Sequence, residues 1–293
     1  MKVLVTGRDG QLAQSLAERS AEFSSLDLHF AARPACDLAI PGSVAAAVRA
    51  ARPELVISAA AYTAVDKAEQ EPDLARRINA EAAGEIAEAA AAVGAPLIHV
   101  STDYVFGGTG DAPMREDEPI APLGVYGRTK AEGEAAVRAG QDDHLILRTA
   151  WVYSPFGANF VKTMLRLSGE RDELSVVADQ VGSPTNALDL ADVILALAER
   201  RLGGDRSGWG ETYHAVGDGQ ASWAEFAAEI MRLSGRDTRI RPIPTSDFPT
   251  PAQRPSWSVL DGSKLRDNLG HSLPHWRDSL PSVVQRLVEQ STS

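Results

Sequence analysis

The sequence is poor in cysteine, in basic residues and in long apolar runs. Its 293 residues include one cysteine, Cys36, so no disulfide can form within the chain and a reducing compartment is expected. Aspartate and glutamate number 40 against 29 lysines and arginines, which gives a formal net charge of −11. Because nucleic acids and anionic membranes attract basic surfaces, neither is expected as a partner.

Segments that would target or anchor the chain are also lacking. No window approaches the run of about 18 uncharged apolar residues that a membrane-spanning helix needs. The opening MKVLVTGRDG has a three-residue apolar run before Thr6, which is too short for a secretory signal peptide. The expected location is the cytoplasm.

The first half of the chain does contain a regular alternation of short apolar runs and helical patterns. The runs predicted as strands cover residues 2–6, 26–32, 54–61, 96–101 and 144–153. Helices are predicted between them, the longest over residues 71–94 with Pro72 at its start and Gly94 at its end. Largely apolar strands that alternate with helices predict an α/β fold with a Rossmann-type, doubly wound parallel sheet.

After residue 155 the pattern is less regular. Helices are predicted at 159–168, 189–201, 222–234 and 275–289, and short strands at 173–177, 212–216 and 239–243. We expect a nucleotide-binding domain over residues 1–155 and a smaller α/β substrate-binding portion over 156–293, with a soft boundary and some later segments returning to the first domain. The proline-rich stretch 242–255 predicts an ordered loop or a lid.

The stretch VTGRDGQLA follows the first predicted strand and opens the first helix. Gly7, Gly10 and Ala13 are small residues at a spacing that permits a tight turn and a close approach of the backbone to a pyrophosphate. The N-terminus of the helix would supply N–H groups to the phosphates. The stretch therefore predicts a dinucleotide site, with an ordinary strand–helix turn as the alternative.

The end of the second strand bears on which dinucleotide binds. An acidic residue there suits the ribose hydroxyls of NAD, whereas an arginine favours the 2′-phosphate of NADP. The stretch HFAARPACDL offers Arg33 and no acid before Asp37, and Arg8 lies inside the glycine loop. NADPH is the expected cofactor; the alternative is that both arginines are ordinary surface residues.

Hydroxyl groups end the fourth strand, and a tyrosine–lysine pair follows. Tyr126 and Lys130 are four residues apart and share one face of a predicted helix, 24 residues after Thr102. Reduction of a ketone leaves an alkoxide that needs a proton, and a nearby ammonium lowers the pKa of a tyrosine toward the working range. We therefore predict that Tyr126 donates the proton, that Lys130 assists it and that Thr102 binds the substrate oxygen; a solvated helix face is the alternative.

Together these features resemble the extended short-chain dehydrogenase/reductases that act on nucleotide sugars, and within them the dTDP-4-dehydrorhamnose reductases. The matching motifs run from residue 7 to about residue 261 and are GQLA, AAAYTAVDKAE, STDYVF, VYGRTKAEGE, RTAWVYSPFGANFVKTMLRL, DQVGSPT and TPAQRPSWSVLD. The resemblance implies an NAD(P)H-dependent oxidoreductase that reduces the C4 ketone of dTDP-4-dehydro-L-rhamnose to dTDP-L-rhamnose. This is the last step of dTDP-rhamnose synthesis for cell-surface polysaccharides, and members of the family often accept NADH as well as NADPH.

The resemblance also implies roles for individual residues. Beside Gly7, Arg33, Tyr126 and Lys130, the cofactor residues it implies are Gly10, Gln11 and Leu12 for the pyrophosphate, Asp37 and Leu38 beside the adenine, and Ala61, Tyr62 and Thr63 along the middle of the molecule. The substrate residues it implies are Thr102, Asp103, Trp151, Asn159 and Arg254.

The chain departs from the family at the positions of a metal site. Some members hold magnesium with glutamates at a dimer contact, and Ser15 and Leu188 match two of those glutamates here. Because magnesium prefers carboxylate ligands, we expect no magnesium site and either a monomer or a dimer that no metal bridges. The alternative is that a nearby acid, Glu18 or Asp189, takes the place of a missing ligand.

Two other functions share these motifs. A nucleotide-sugar epimerase or dehydratase has the same Thr–Tyr–Lys set, but a dehydratase would add an acidic pair beside Thr102, and Asp103 has no adjacent glutamate. A regulatory subunit would bind NADP without turnover, and the intact pair of Tyr126 and Lys130 argues against it.

Overall fold

A six-stranded parallel sheet organises the computed structural model, which describes residues 1–291. The strands, in chain order, are β1 Lys2–Thr6, β2 Asp27–Ala31, β3 Leu55–Ser58, β4 Leu97–Thr102, β5 His144–Thr149, β6 Val152–Tyr153, β7 Glu173–Val177, β8 Val181–Gly182, β9 Thr185–Asn186, β10 Glu211–His214, β11 Ala221–Ser222, β12 Arg239–Ile243 and β13 Trp257–Ser258. The helices are α1 Gln11–Arg19, α2 Ser43–Ala51, α3 Val65–Ala68, α4 Pro72–Arg76, α5 Ala82–Ala92, α6 Val125–Gly140, α7 Phe160–Ser168, α8 Ala187–Leu202, α9 Trp223–Ser234, α10 Ser263–Leu269 and α11 Trp276–Ser291. Shorter turns are π-helical at Arg77–Glu81 and 3₁₀ at Ser20–Glu22, Asp103–Val105 and Thr245–Asp247.

The strand order of the large sheet is β10-β5-β4-β3-β1-β2, and every neighbouring pair is parallel. The predicted Rossmann-type fold class is confirmed. In this register Thr6 lies opposite Ser58, and Thr102 lies opposite Thr149. The carboxyl ends of the strands, and the polar side chains that end them, therefore meet along one edge, where ligands bind in sheets of this kind.

Helices cover both faces of the sheet because its strands are apolar on both faces. Helices α1 and α8 pack together on one face, and α2, α5 and α6 form the layer on the other. The buried residues that join the first layer to the sheet include Val3, Val5, Leu16, Leu190 and Ile194. Those of the second layer include Leu4, Val56, Ile86, Ala87 and Val137. Burial of this apolar area is the main stabilising contribution to the domain.

Segments after residue 155 pack in two places. Strand β10 pairs with β5 at the edge of the large sheet, and α8 packs on α1. Helices α7, α9 and α11 enclose a further buried core, whose members include Tyr153, Val161, Phe226, Trp276 and Val283. The division into two domains near residue 155 stays a prediction. Within residues 1–291, no helix is long and apolar enough to cross a membrane.

Two predicted elements are interrupted. The helix predicted over residues 71–94 begins at Pro72 but changes to a π-helical turn at Arg77–Glu81 before α5. The strand predicted over 144–153 ends at Thr149, since Trp151 has a left-handed φ of 47° that no extended strand accommodates. Both interruptions lie beside the candidate site described below.

Candidate active site

The turn from β1 to α1 forms a cradle of main-chain atoms. Gly7 has φ of 87°, and a Cβ there would approach the Cβ of Ala60 to 3.2 Å. Gly10 is the N-cap of α1, and no side chain in the described part of the chain caps the N–H groups of its first turn. A Cβ on Gly10 would meet nothing within 4 Å, so the space in front of the helix is open. Free N–H groups at a helix N-terminus fit a pyrophosphate.

The first residue of α1 links this turn to the C-terminal part of the chain. The Gln11 side chain donates to the Val152 carbonyl at 3.2 Å and accepts hydrogen bonds from Ser154 and Asn159, both at 2.9 Å. Asn159 also caps α7, since its Oδ1 accepts from the Lys162 N–H at 3.1 Å. The side chain of Asn159 is thus engaged within the protein, and its predicted contact with substrate stays a prediction.

The predicted adenine side lies after β2. Arg33 is exposed at the carboxyl end of that strand, and Arg8 is exposed beside Asp9, which its Nε contacts at 3.0 Å. Asp37 stabilises its own turn, because its Oδ1 accepts from the Ala39 N–H at 3.0 Å. Leu38 is buried beneath it. These residues lie at or just after the carboxyl end of β2 or in the glycine loop, and their contacts with a dinucleotide stay a prediction.

The segment predicted along the middle of the cofactor is held by an asparagine of the π-helical turn. Asn79 is buried, accepts from the Tyr62 N–H at 2.8 Å and donates to the Tyr62 carbonyl at 3.1 Å. This reciprocal pair fixes the backbone between Ala61 and Thr63, of which Thr63 is exposed. The Tyr62 hydroxyl donates to Glu71 at 2.6 Å. A π-helical turn often occurs at a functional site, and here it aims Asn79 at the loop.

Tyr126 lies in the first turn of α6, next to the end of β4. Its ring meets that of Tyr104 edge-on, with centroids 5.4 Å apart. Burial raises the pKa of Tyr126 to about 12. A hydrogen bond with Thr102 partly offsets this rise, and the negative charge of Asp103 adds to it. The sequence predicted that the pKa of Tyr126 is lowered, and that prediction is wrong for this structure. The reason is that burial dominates, while the Lys130 ammonium contacts other groups.

Lys130 is buried one turn further along α6. Its Nζ donates to the Val100 carbonyl at 2.7 Å and lies 3.5 Å from Nε2 of His99. Burial lowers the pKa of Lys130 to about 8, although Glu134 partly opposes that shift. The Lys130 ammonium is therefore held against β4 by one main-chain acceptor and one side-chain acceptor.

Asp103 is a buried carboxyl group beside the predicted catalytic residues. Its Oδ1 accepts from the Thr102 hydroxyl at 2.8 Å, and its Oδ2 has no hydrogen-bond partner within residues 1–291. Burial raises the pKa of Asp103 to about 7. Hydrogen bonds from Thr102 and Ser258 act in the opposite direction and limit this rise. Buried polar atoms are rarely left unpaired, so we expect a water or a ligand group to pair with this oxygen.

Trp151 occupies its strained backbone position with support from the C-terminal part of the chain. Its ring stacks on Trp223 with centroids 3.4 Å apart and planes 3° apart. Its Nε1 donates to Ser258 at 3.1 Å, and a Cβ at Gly182 would come within 2.4 Å of the ring. The indole is thus fixed between α9 and the β8–β13 pair at the carboxyl edge of β5.

Arg254 belongs to the proline-rich loop and reaches across to the nucleotide-binding part. Its two terminal nitrogens contact both carboxylate oxygens of Asp66, on α3, at 2.5 and 2.6 Å. The backbone N–H of Ala252 also donates to Asp66, at 3.1 Å. The ion pair holds the loop over the edge of the sheet and keeps a cation near Tyr104, whose hydroxyl also contacts Arg254.

The positions matched to magnesium ligands offer no carboxylate. Ser15 is buried, and its hydroxyl donates to the Gln11 carbonyl at 2.9 Å. Of the neighbouring acids, Glu18 accepts from Arg286 at 2.8 Å and Asp189 accepts from Ser279 at 2.5 Å. Within residues 1–291, no group of three or more histidine, cysteine, aspartate or glutamate side chains is arranged to hold a metal ion.

Most of the predicted residues therefore lie along one edge of the sheet, from Arg33 past the glycine loop to Tyr126, Trp151 and Arg254. Four residues with evident roles were not predicted: Asp66, Asn79, His99 and Trp223. Asn79 and His99 did carry a signal, since each is a polar residue in an otherwise apolar face or strand. Asp66 and Trp223 carried none, because their partners are distant in the sequence.

The comparisons with known proteins agree with this geometry. The family model described as RmlD substrate binding domain matches residues 1–289. A dTDP-4-dehydrorhamnose reductase of Sinorhizobium fredii is 43% identical over 292 residues, which are 98% of each chain. The crystal structure of such a reductase from Clostridium acetobutylicum is 39% identical, has a TM-score of 0.91 and covers 98% of this chain and 99% of its own.

A second solved structure carries the cofactor. It is the dTDP-4-dehydrorhamnose reductase of Bacillus anthracis in complex with NADP, 37% identical with a TM-score of 0.89, and the match covers 96% of this chain and 98% of that one. Similarity that extends over nearly the full length, at this identity, leaves no large part of the fold unmatched. The chain belongs to the family of dTDP-4-dehydrorhamnose reductases.

Proposed function

We propose that this protein uses NADPH to reduce the C4 ketone of dTDP-4-dehydro-L-rhamnose to dTDP-L-rhamnose, the last step of dTDP-rhamnose synthesis. The observation that carries the proposal is the grouping of Thr102, Tyr126 and Lys130 at the carboxyl edge of a sheet whose first helix has free N–H groups. When bound, NADPH supplies a hydride to C4 of the sugar. The residues of the chain must then place the ketone and deliver one proton.

Tyr126 is the proton donor in this proposal. Its phenolic proton passes to the C4 oxygen as the hydride adds to C4, so that the ketone becomes a secondary alcohol and the tyrosine a phenolate. The Thr102 hydroxyl bonds the same oxygen. We assign the Lys130 ammonium to the nicotinamide ribose beside Tyr126. Burial raises the pKa of Tyr126 to about 12, which keeps the phenol protonated until the hydride adds.

We assign the sugar nucleotide to polar and aromatic groups at the ends of β4 and β5 and to Arg254 of the proline-rich loop. Asp103 offers an unpaired oxygen to a sugar hydroxyl, and Trp151 offers a fixed aromatic edge. Arg254 is the cation for the diphosphate, and its paired geometry with Asp66 orients the guanidinium before binding. The amide of Asn159 is engaged with Gln11, so a contact with the sugar would require that hydrogen bond to break.

The direct test is an assay of purified protein with NADPH and enzymatically prepared dTDP-4-dehydro-L-rhamnose. We expect one NADPH oxidised for each dTDP-L-rhamnose formed, with the product identified by mass and NMR. An epimerase would interconvert sugars without net consumption of NADPH. Binding of NADPH without any turnover would instead indicate a regulatory subunit. Either of these two results would contradict the proposal.

Cofactor preference gives a prediction for Arg33. A charge-assisted hydrogen bond to the 2′-phosphate is worth about 1.5–3 kcal/mol before solvent screening, and Arg33 is exposed, so we expect roughly a tenfold preference in kcat/KM for NADPH over NADH. Arg33→Ala should remove most of this preference by weakening NADPH alone. The matched control is Arg49→Ala, an exposed arginine of α2. Equal kcat/KM values for the two cofactors in the wild type would refute the assignment.

Magnesium dependence gives a second prediction. Because Ser15 and Leu188 provide no carboxylate, we propose that the protein is a monomer or a dimer that no metal bridges. We also propose that it acts in the cytoplasm, where NADPH and nucleotide sugars are made. Light scattering and turnover should be the same in EDTA and in millimolar magnesium. A dimer that forms only with magnesium, or activity that disappears in EDTA, would contradict this expectation.

A further inference from the structure

A buried histidine lies behind the predicted catalytic lysine. His99 is in the middle of β4, and its Nε2 lies 3.5 Å from Nζ of Lys130. Its other ring nitrogen, Nδ1, lies 3.1 Å from the Ser58 hydroxyl of the neighbouring strand. Ser58 and His99 are register partners of β3 and β4, so the strand pairing itself sets this contact.

The partners of the ring determine which nitrogen carries the proton. An ammonium can only donate, so Nε2 must be the bare, accepting nitrogen if it is to bond Lys130. The proton of a neutral ring then resides on Nδ1 and is donated to the Ser58 oxygen. Burial and the adjacent ammonium both lower the pKa of His99, which keeps the ring neutral.

The side chains of Ser58, His99 and Lys130 form a hydrogen-bond chain that ends inside the protein. Each of the three residues is 2% exposed, so the chain of hydrogen bonds does not reach solvent at Ser58. A proton relay to water needs an exposed end, and this chain of hydrogen bonds has none at Ser58. The histidine is therefore placed to hold the lysine, not to resupply it with protons.

The effect of His99 on Lys130 follows from the number of N–H groups that the ammonium can donate. Lys130 has three N–H groups, of which the Val100 carbonyl takes one and His99 another, leaving one for the reaction side. Acceptors favour the charged form of a buried amine, which burial otherwise disfavours. With the pKa of Lys130 at about 8, loss of an acceptor would change its charge within the ordinary assay range.

We propose that His99 is a positioning residue for the reduction: as a neutral, Nδ1-protonated imidazole held by Ser58, it accepts a hydrogen bond from Lys130 and keeps that lysine charged and directed at the cofactor ribose and Tyr126. This role rests on the proposed function. The other charged or titratable groups that face the pair are Glu134 and Arg138 of α6 and His144 and Arg148 of β5.

The first test compares two variants by their pH profiles. His99→Leu removes the acceptor, which should lower the pKa of Lys130 by about one unit, the approximate worth of a hydrogen bond to a charged donor. We therefore expect the alkaline limb of the pH profile of kcat/KM to shift to lower pH by about one unit. His99→Gln keeps an accepting oxygen and should retain the wild-type limb. A packing role alone would lower thermal stability in both variants without moving the limb, and an unmoved limb in folded His99→Leu would overturn the proposal.

The second test is made on the wild-type protein and needs no turnover. NMR of the wild-type protein labelled with ¹⁵N-histidine reports the tautomer of each ring, and the signal of His99 is identified by its loss in His99→Gln or by its contacts with Ser58 and Lys130. We expect the neutral Nδ1–H tautomer across the pH range of the assay. The Nε2–H tautomer, or a protonated ring, could not accept from Lys130 and would refute the role of His99. If instead the tautomer is as expected and the wild type shows no reduction, the proposed function fails and the contact with Lys130 stands.

Discussion

Replacement of Tyr126 with phenylalanine is expected to lower kcat by about 10²–10⁴-fold, because it removes a positioned proton donor and little else. The ring would still meet Tyr104 edge-on, so the first turn of α6 should keep its packing. NADPH binding, measured by the fluorescence of the reduced cofactor, should change little. Lys130→Ala, by contrast, is expected to weaken both cofactor binding and turnover, since the proposed function assigns the lysine to both.

A matched control for this substitution is available elsewhere in the sheet. Tyr213 lies in β10, and its hydroxyl donates to the Gly208 carbonyl at 2.9 Å, away from the carboxyl-end cradle. Tyr213→Phe deletes the same atom and costs about 1 kcal/mol of stability at most, while kcat should stay near the wild-type value. A near wild-type kcat for Tyr126→Phe would show that another group delivers the proton.

Substitution of Arg148 with methionine is expected to reduce the free energy of unfolding by about 3–5 kcal/mol, because it leaves a buried carboxylate without its main partner. The Arg148 guanidinium contacts both oxygens of Glu134 through Nε and Nη2, at 2.9 and 2.8 Å. Glu134 is fully buried. Urea unfolding at neutral pH, followed by circular dichroism, measures the difference.

The pH dependence of this loss has a definite sign. Hydrogen bonds and the charge of Arg148 outweigh burial and lower the pKa of Glu134 from 4.5 to about 2. In the wild type this stabilisation is fully present above pH 4.5 and is lost as the pH falls toward 2. In Arg148→Met the carboxyl can take up a proton at a higher pH, so the stability gap between the two proteins should narrow as the pH falls.

Arg138 provides the control, since it contacts the same carboxylate from a more exposed position. Its Nη2 lies 2.9 Å from Glu134, and its side chain is 39% exposed against 2% for Arg148. Arg138→Met should therefore cost less than about 1 kcal/mol, as exposed ion pairs do. Equal losses for the two variants would show that burial does not govern this cluster.

Local sequence patterns determined much of the nucleotide-binding part. Apolar runs over residues 2–6, 54–61 and 96–101 predicted three of the central strands, and the structure has β1, β3 and β4 there, with β3 ending three residues earlier than predicted. The glycine spacing after β1 predicted a helix with an open N-terminus, which is α1. Such features depend on residues within a few positions of one another, so a pattern in the chain is enough to show them.

The tyrosine–lysine pair shows where that local information ends. Helical spacing placed Tyr126 and Lys130 on one face, and the chemistry of ketone reduction predicted their roles. It could not show that Lys130 is bound by a carbonyl and a histidine of β4, or that burial raises the pKa of Tyr126. A pKa depends on the depth and the neighbours of a group, and both are set by packing of distant segments.

By itself, then, the sequence determined the alternation of strands and helices in the first half of the chain and the glycine turn that opens α1, and it predicts the roles of Thr102, Tyr126 and Lys130. Only the tertiary structure decided how β10 joins the sheet beside β5, how Asp66 pairs with Arg254 from 188 positions away, and how His99 comes to lie behind Lys130. The physical reason is that periodicity and turn chemistry act over one or two turns of chain. Strand pairing, ion pairs and buried contacts join residues whose separation along the sequence leaves no local trace.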